Sequence, residues 1–200
     1  MVSPTEGVRP ATAADHEAAA EALALAFADD PAWGHLVPGG DNAERLLVYF
    51  TAEIENLVPD YRQLWVTEDG SGAAVWAPPG RWRVPMVRNL RPAREVARAF
   101  GRRLPLAIWT QLRFERLHPR SPHWYLNYLG VEPRRQGRGL GSALLAPVLD
   151  LCDGERAGAH LEASTERNRA LYERHGFAHT ETFNLPAGGP PVHEMWREPR

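Results

Sequence analysis

The chain contains no lysine: all 23 of its basic residues are arginine. A Walker-type phosphate loop needs Gly-Lys-Ser/Thr, so that class of nucleotide site is excluded. Cysteine is nearly as scarce. A single one, Cys152, rules out an internal disulfide framework and points to a reducing compartment. It falls in an apolar helical pattern, where a buried spectator thiol is expected and a nucleophile is not. No apolar run approaches the length of a membrane span, and Met1–Glu6 shows neither a basic leader nor an apolar signal core. A soluble, cytoplasmic protein is expected. The formal net charge of −2 leaves no footprint for nucleic acid or a membrane surface. The eight histidines are scattered along the chain, and no metal is expected. There is no internal repeat. What is present is a 44% apolar composition over 200 residues, enough for one domain with its own core.

The most informative stretch runs from Val131 to Ser142. Glycines at 137, 139 and 141 punctuate a turn that leads directly into an apolar helical pattern, Leu140, Ala143, Leu144, Pro147, Val148 and Leu151. Before it lies a strand-like run, Trp124–Leu129. Glycine permits backbone conformations and close approaches that a Cβ forbids. The first N–H groups of the helix lack intrahelical partners and sit at the positive end of its dipole. Such a turn is a cradle for a pyrophosphate. The dinucleotide fingerprint fails on spacing, because its last glycine would fall on Ser142.

What remains, Gln136-x-x-Gly139-x-Gly141 after a strand ending Leu129-Gly130-Val131, resembles the acyl-CoA signature of the Gcn5-related N-acetyltransferase (GNAT) superfamily. A second block, Leu161–Phe177, resembles another conserved part of the same superfamily. Here Ser164 or Thr165 can cap a short helix, Gly176 can end it, and Asn168 and Tyr172, four apart, share one face. Val8–Thr12, Ala24–Asp29, Leu64–Val66 and Ala73–Trp76 extend a resemblance to puromycin N-acetyltransferase-like members over nearly the whole length. The segment 81–120 matches those members poorly in residue identity.

Along the chain, helices are expected from His16 to Phe27 and from Ala43 to Leu57. A hairpin should turn at Asp69–Gly72, and strands should lie at Ala159–Ala163, Phe177–Asn184 and Val192–Arg197. Residues 81–120 carry eleven arginines against only Glu95 and Glu115. They read as a basic helical insertion within one domain spanning 1–200, with helices near Arg91–Phe100 and Leu104–Leu117. Its arginines either lie in solvent or meet the phosphates of CoA or an anionic substrate.

The resemblance implies an α/β fold with a mixed central sheet of about six to seven strands, flanked by helices and splayed at an acyl-CoA slot. It implies acetyl-CoA as cosubstrate and direct transfer of acetyl to an amine, with no covalent acyl-enzyme. Leu129, Gly130 and Val131 would pair with pantetheine, Gly130 providing a bulge. Gln136, Gly137, Arg138, Gly139, Leu140, Gly141 and Ser142 would hold the pyrophosphate, and Asn168 would touch the pantetheine region. Tyr172 would protonate the departing thiolate. Glu162, on the strand beside the slot, is the first choice of general base, or else it is a strand carboxylate paired with an arginine. Asp29, Asp30 and Trp33 would border the acceptor, a small-molecule amine of aminonucleoside or antibiotic-like type, unless Asp29-Asp30-Pro31 is an ordinary turn. A peptide or protein amine, or a non-catalytic acyl-CoA sensor, are the alternatives. Monomer and homodimer are both open, and a composition rich in alanine, arginine, glycine and proline fits a GC-rich bacterial genome.

Overall fold

The computed structural model describes residues 7–39, 42–84 and 90–200. Met1–Glu6, expected to hold neither a basic leader nor a signal core, and part of the basic segment lie outside those residues. Strand β1 (Val8–Pro10) is cut short by its proline. Helix α1 (His16–Phe27) follows, then α2 (Pro31–Leu36) and α3 (Asn42–Tyr61). Strands β2 (Gln63–Thr67) and β3 (Gly72–Ala77) form the expected hairpin. In its turn Gly70 takes a positive φ, and Asp69 accepts hydrogen bonds from the Ser71 amide and hydroxyl at 3.1 and 2.6 Å. Among the described residues of the basic segment two helices follow, α4 (Ala93–Phe100) and α5 (Leu104–Leu117), close to their expected ranges. Strand β4 (His123–Val131), helix α6 (Leu140–Glu155), strand β5 (Gly158–Ala163), helix α7 (Glu166–Arg174) and the hairpin β6 (Ala178–Asn184) and β7 (Pro191–Arg197) complete the chain.

The seven strands form one sheet in the order β1-β2-β3-β4-β5-β7-β6. All neighbours are antiparallel except β4 and β5. Helices cover both faces, as the expected α/β architecture requires. On one, α6 buries Leu144, Leu145, Val148 and Cys152 against Trp76, Trp124, Leu161 and Met195. Burial pushes the Cys152 thiol up to about 12, so it is an inert core residue. On the other face α1, α3 and α4 pack Leu23, Leu46, Phe50, Ile54 and Phe100 against Leu64, Val66 and Val75. Helix α1 presents Ala19, Ala20 and Ala24, small enough to let its backbone approach the sheet.

That approach explains Gly130 and corrects its expected role. Gly130 pairs regularly with Ala73, and a Cβ there would fall 2.8 Å from the Ala26 Cβ and 3.0 Å from the Leu23 Cδ2. Its glycine is needed for helix packing, and the bulge lies elsewhere. Val75 pairs with Tyr128 and Trp76 with Leu126, which leaves Asn127 as the extra residue in β4. In an uninterrupted strand Tyr125 and Tyr128 would point to opposite faces. The bulge brings both to the same cavity.

One arginine of the basic segment is spent on backbone carbonyls. Arg103 donates to the carbonyls of Gly34 and His35, at 3.0 and 2.7 Å, capping the end of α2. From outside the segment, Arg62 holds the carbonyls of Arg81 and Trp82 at 2.6 and 2.9 Å. Among the described residues no helix is long and apolar enough to cross a membrane.

Candidate active site

Strands β4 and β5 run parallel and pair only at His123–Gly158, Trp124–Ala159 and Tyr125–His160. Beyond that point β4 continues for six residues and β5 for three, with no further pairing between them. β4 stays paired with β3 and β5 with β7, so the two halves of the sheet diverge and a slot opens between them. Backbone groups along the slot edges have no strand partner, and an extended amide-bearing ligand can supply one.

The glycine turn closes one end of this slot. Gly137 and Gly139 both adopt left-handed backbone, with φ of 76° and 85°. A Cβ at either would meet nothing within 4 Å. Glycine is therefore required by conformation there, and the space above it is open. Gly139 is the residue before α6, whose first amides, at Leu140, Gly141 and Ser142, face outward without helical partners. Gln136 turns inward instead: its Nε2 donates to the Val131 carbonyl at 3.0 Å and locks the turn to β4. Beside the turn is a groove of about 510 Å³ that includes Arg138, Ser142, Arg174 and His175. No described arginine of 81–120 lines it, so the phosphate role considered for that segment does not fall at this end.

At the other side, Thr165 starts α7 by accepting from the Asn168 amide at 3.1 Å. Asn168 and Tyr172, one turn apart, both reach the central cavity, and the Tyr172 ring packs edge-on against Phe177 at 5.9 Å. Burial, assisted by the charge of Asp30, holds the Tyr172 hydroxyl above the usual phenol range. It is a protonated group at any ordinary pH.

Asp30 does not reach the cavity wall. One carboxylate oxygen caps α2, accepting from the amides of Ala32 and Trp33 at 2.9 and 3.3 Å; the other accepts a short hydrogen bond from Ser164. It thus ties the α2 turn to the end of β5. Asp29 is exposed and also lies off the wall, so the expected carboxylate pair is split by its surroundings. Trp33 is at the wall, placed there by the turn that Asp30 caps.

The cavity, about 430 Å³, lies between the slot and helices α3, α4 and α5. Trp33, Tyr49, Phe100 and Tyr128 form an aromatic wall, with ring centres 5.1 Å apart for Trp33–Tyr49 and 5.4 Å for Tyr49–Phe100. Two carboxyls face it. Glu162 accepts from the Tyr125 hydroxyl at 2.9 Å through Oε2, while Oε1 is buried and has no hydrogen-bond partner. Burial pushes this carboxyl up to about 8, against the pull of the Tyr125 bond. Glu53, on α3, accepts from Tyr128 at 3.3 Å, and Tyr128 is bonded in turn to Tyr49 at 2.8 Å. Burial raises Glu53 to about 7, with Arg62 and the tyrosine hydroxyls opposing the shift.

Comparison with known proteins decides the family. The Acetyltransferase (GNAT) family model matches residues 107–177, which include the glycine turn, Glu162 and Tyr172. An uncharacterized N-acetyltransferase of Schizosaccharomyces pombe is 30% identical over 206 residues, 94% of this chain and 81% of the relative. The chain belongs to the GNAT acetyltransferase family.

The fold comparison agrees. A crystal structure from Corynebacterium glutamicum, described as histone acetyltransferase HPA2 and related acetyltransferase, superposes with a TM-score of 0.75 at 28% identity, covering 96% of each chain. Arylalkylamine N-acetyltransferase 2 from Aedes aegypti shares the fold at 14% identity, with a TM-score of 0.61 over 96% of this chain and 98% of its own. In this GNAT acetyltransferase the structure gathers Leu129, Asn168, Tyr172 and Glu162 at one cavity and holds Gly137–Ser142 at the end of its slot. Sequence reasoning missed Glu53, Tyr49 and Tyr125. A signal existed for Glu53: it is one turn from Tyr49, Phe50 and Leu57, a carboxylate inside an otherwise apolar helical stripe. It also missed that His118 and His123, a His-x4-His pair, converge with the distant His160.

Proposed function

We propose that this GNAT acetyltransferase moves the acetyl group of acetyl-CoA directly to the primary amine of a small molecule with an aromatic or otherwise apolar body. One observation carries the acceptor class. The cavity that meets the slot is roofed by α4 and α5, walled by aromatic rings and furnished with two carboxyls, Glu162 and Glu53. A compact cationic amine fits that combination, by ring packing around its body and carboxylate attraction at its nitrogen. The similarity to puromycin-type members noted in the sequence supports the same direction.

In this reading the amides of Gly137–Ser142 bind the pyrophosphate at the helix dipole, with Arg138 adding charge. The unpaired edge of β4 near Leu129 holds the pantetheine as an added strand would, and a backbone N–H there polarises the thioester carbonyl. Glu162 takes the proton from the attacking amine, with Tyr125 fixing the orientation of its carboxyl. The amine nitrogen bonds to the acetyl carbon as the carbon–sulfur bond breaks. Tyr172 delivers its proton to the leaving sulfur and is restored from solvent.

The test is release of free CoA thiol from acetyl-CoA against a panel of amines, from puromycin and other aminonucleosides to arylalkylamines and an N-terminal peptide. Release dependent on one aromatic small amine supports the proposal. Release with the peptide alone overturns the acceptor class. Binding of acetyl-CoA by calorimetry with silence across the panel favours a sensor.

A further inference from the structure

Behind the proposed base, three histidines meet. His118 ends α5, His123 opens β4 and His160 lies in the middle of β5, so the cluster joins the helical insert to both strands that bound the slot. All three are buried, and one nitrogen from each lies within 4.8 Å of the others. The His123 and His118 Nε2 atoms are 3.0 Å apart. His123 directs Nδ1 to the Ser121 carbonyl at 2.6 Å, which fixes the proton on Nδ1 and leaves the Nε2 lone pair pointing into the cluster. A backbone carbonyl holding the far nitrogen is the usual support of a metal-ligating imidazole. His160 is 1% exposed, and neither of its ring nitrogens has a hydrogen-bond partner. A buried imidazole so left is destabilising, and something is needed to satisfy it.

We propose that His118, His123 and His160 form a binding site for a divalent transition-metal ion, zinc first. Three neutral imidazoles with no thiolate suit zinc, copper or nickel over calcium or magnesium. In a tetrahedral zinc site with bonds of about 2.0–2.1 Å, ligand nitrogens stand roughly 3.3 Å apart. The His118–His123 pair already stands near that separation, and the longest spacing in the cluster closes by about 1.5 Å through side-chain rotation. A fourth position is left for water from the cavity, whose wall includes His118. Glu162 stands outside the group: among the described residues only the three histidines bring ligand atoms mutually within 4.8 Å here. The ion's work is mechanical. It clasps the end of α5, on which Trp82 is stacked at 3.7 Å, to the base of β4 and β5. That contact fixes the roof of the cavity.

The experiment uses full-length, tag-free protein, since an affinity tag would itself bind metal. Zinc content after dialysis is measured by mass spectrometry, and the metal-stripped protein is titrated with Co(II) and with Zn(II) in competition. One equivalent of zinc, and the visible d–d bands of four-coordinate Co(II), are expected. His160→Ala and His123→Ala should each weaken zinc at least about a hundredfold, with folding checked by circular dichroism. The exposed His179→Ala should bind as the parent does. Added zinc should raise the melting temperature of the parent and not of His160→Ala. Parent protein that takes up no zinc and gives no Co(II) band overturns the site and leaves a hydrogen-bonded histidine cluster only. Metal uptake that survives both alanine variants overturns it too, by placing the ion elsewhere.

Discussion

The slot and the cavity are neighbours, yet they are built in different ways. The slot is made of backbone: two parallel strands that stop pairing after Tyr125–His160, and a turn whose glycines sit at positive φ. Its requirements are local, so a short pattern of glycines before an apolar helix is enough to specify it. The cavity is made of side chains from α2, α3, α4, α5, β4, β5 and α7, among others, brought together by packing over more than a hundred residues of chain. Nothing local announces it. A family can therefore keep the first and vary the second, which holds the cosubstrate constant while the acceptor changes.

The sharpest way to break this division is at the residue where the two regions meet. Tyr172 lines the cavity beside the slot and is a protonated phenol. Tyr172→Phe should lower kcat by about a hundredfold to ten-thousandfold, with acetyl-CoA affinity changed less than about twofold. Steady-state thiol release and calorimetry read the two quantities separately. Retained turnover would remove Tyr172 as the acid. Gly139→Val tests the backbone side. Its φ of 85° is strained for a β-branched residue although a Cβ there meets no neighbour. The turn should distort and acetyl-CoA affinity should fall at least about a hundredfold, while an amine that fits the cavity still binds. Unchanged cosubstrate affinity would sink the phosphate assignment.

The same contrast explains what could be read in the sequence. Strand, turn and helix around Gly139 were legible because glycine spacing and apolar period coincide there, and so was α7, its cap narrowed to Ser164 or Thr165 and found at Thr165. The bulge was misplaced at Gly130, since a glycine needed to admit Ala26 and Leu23 looks the same in sequence as one that kinks a strand. Its true position, Asn127, depends on the register between β3 and β4, which is a property of the pair. The histidine cluster was half hidden for a like reason: His118 and His123 stand five residues apart, but His160 joins them only through the pairing of β4 with β5.

Glu53 sharpens the cavity side. If its carboxylate attracts the amine, Glu53→Gln should raise the acceptor KM about tenfold and leave kcat within about threefold, because such attraction acts on bound substrate and transition state alike. Burial holds this carboxyl at about 7, so in the parent the acceptor KM should rise as pH falls through 7, and the variant should lose that dependence. Stability runs the opposite way. A carboxyl whose folded pKa is raised above 4.5 is protonated in both states at low pH, and it costs stability as pH climbs from 4.5 through about 7. Glu53→Gln should therefore melt higher than the parent at pH 8 and alike at pH 4. A KM insensitive to both mutation and pH would place the amine away from α3.

The smallest effect separates two adjacent carboxylates. Were Asp29 and Asp30 a paired lure for a cation, neutralising either would raise the acceptor KM. The geometry assigns them unlike parts. Asp30 caps α2 and is bonded to Ser164, which holds Trp33 at the cavity wall. Asp29 is exposed in the turn before it. Asp30→Ala should lose about 0.5–2 kcal/mol of stability with the cap and raise the acceptor KM only through the displaced Trp33. Asp30→Asn, which keeps a capping oxygen, should recover much of both. Asp29→Asn should change stability by less than about 0.5 kcal/mol and leave kcat/KM alone. Melting curves and acceptor KM values for the three variants decide it: equal losses at 29 and 30 would restore the charge pair, whereas a loss at 30 that asparagine repairs makes this carboxylate a positioning residue whose effect on the acceptor passes through a tryptophan.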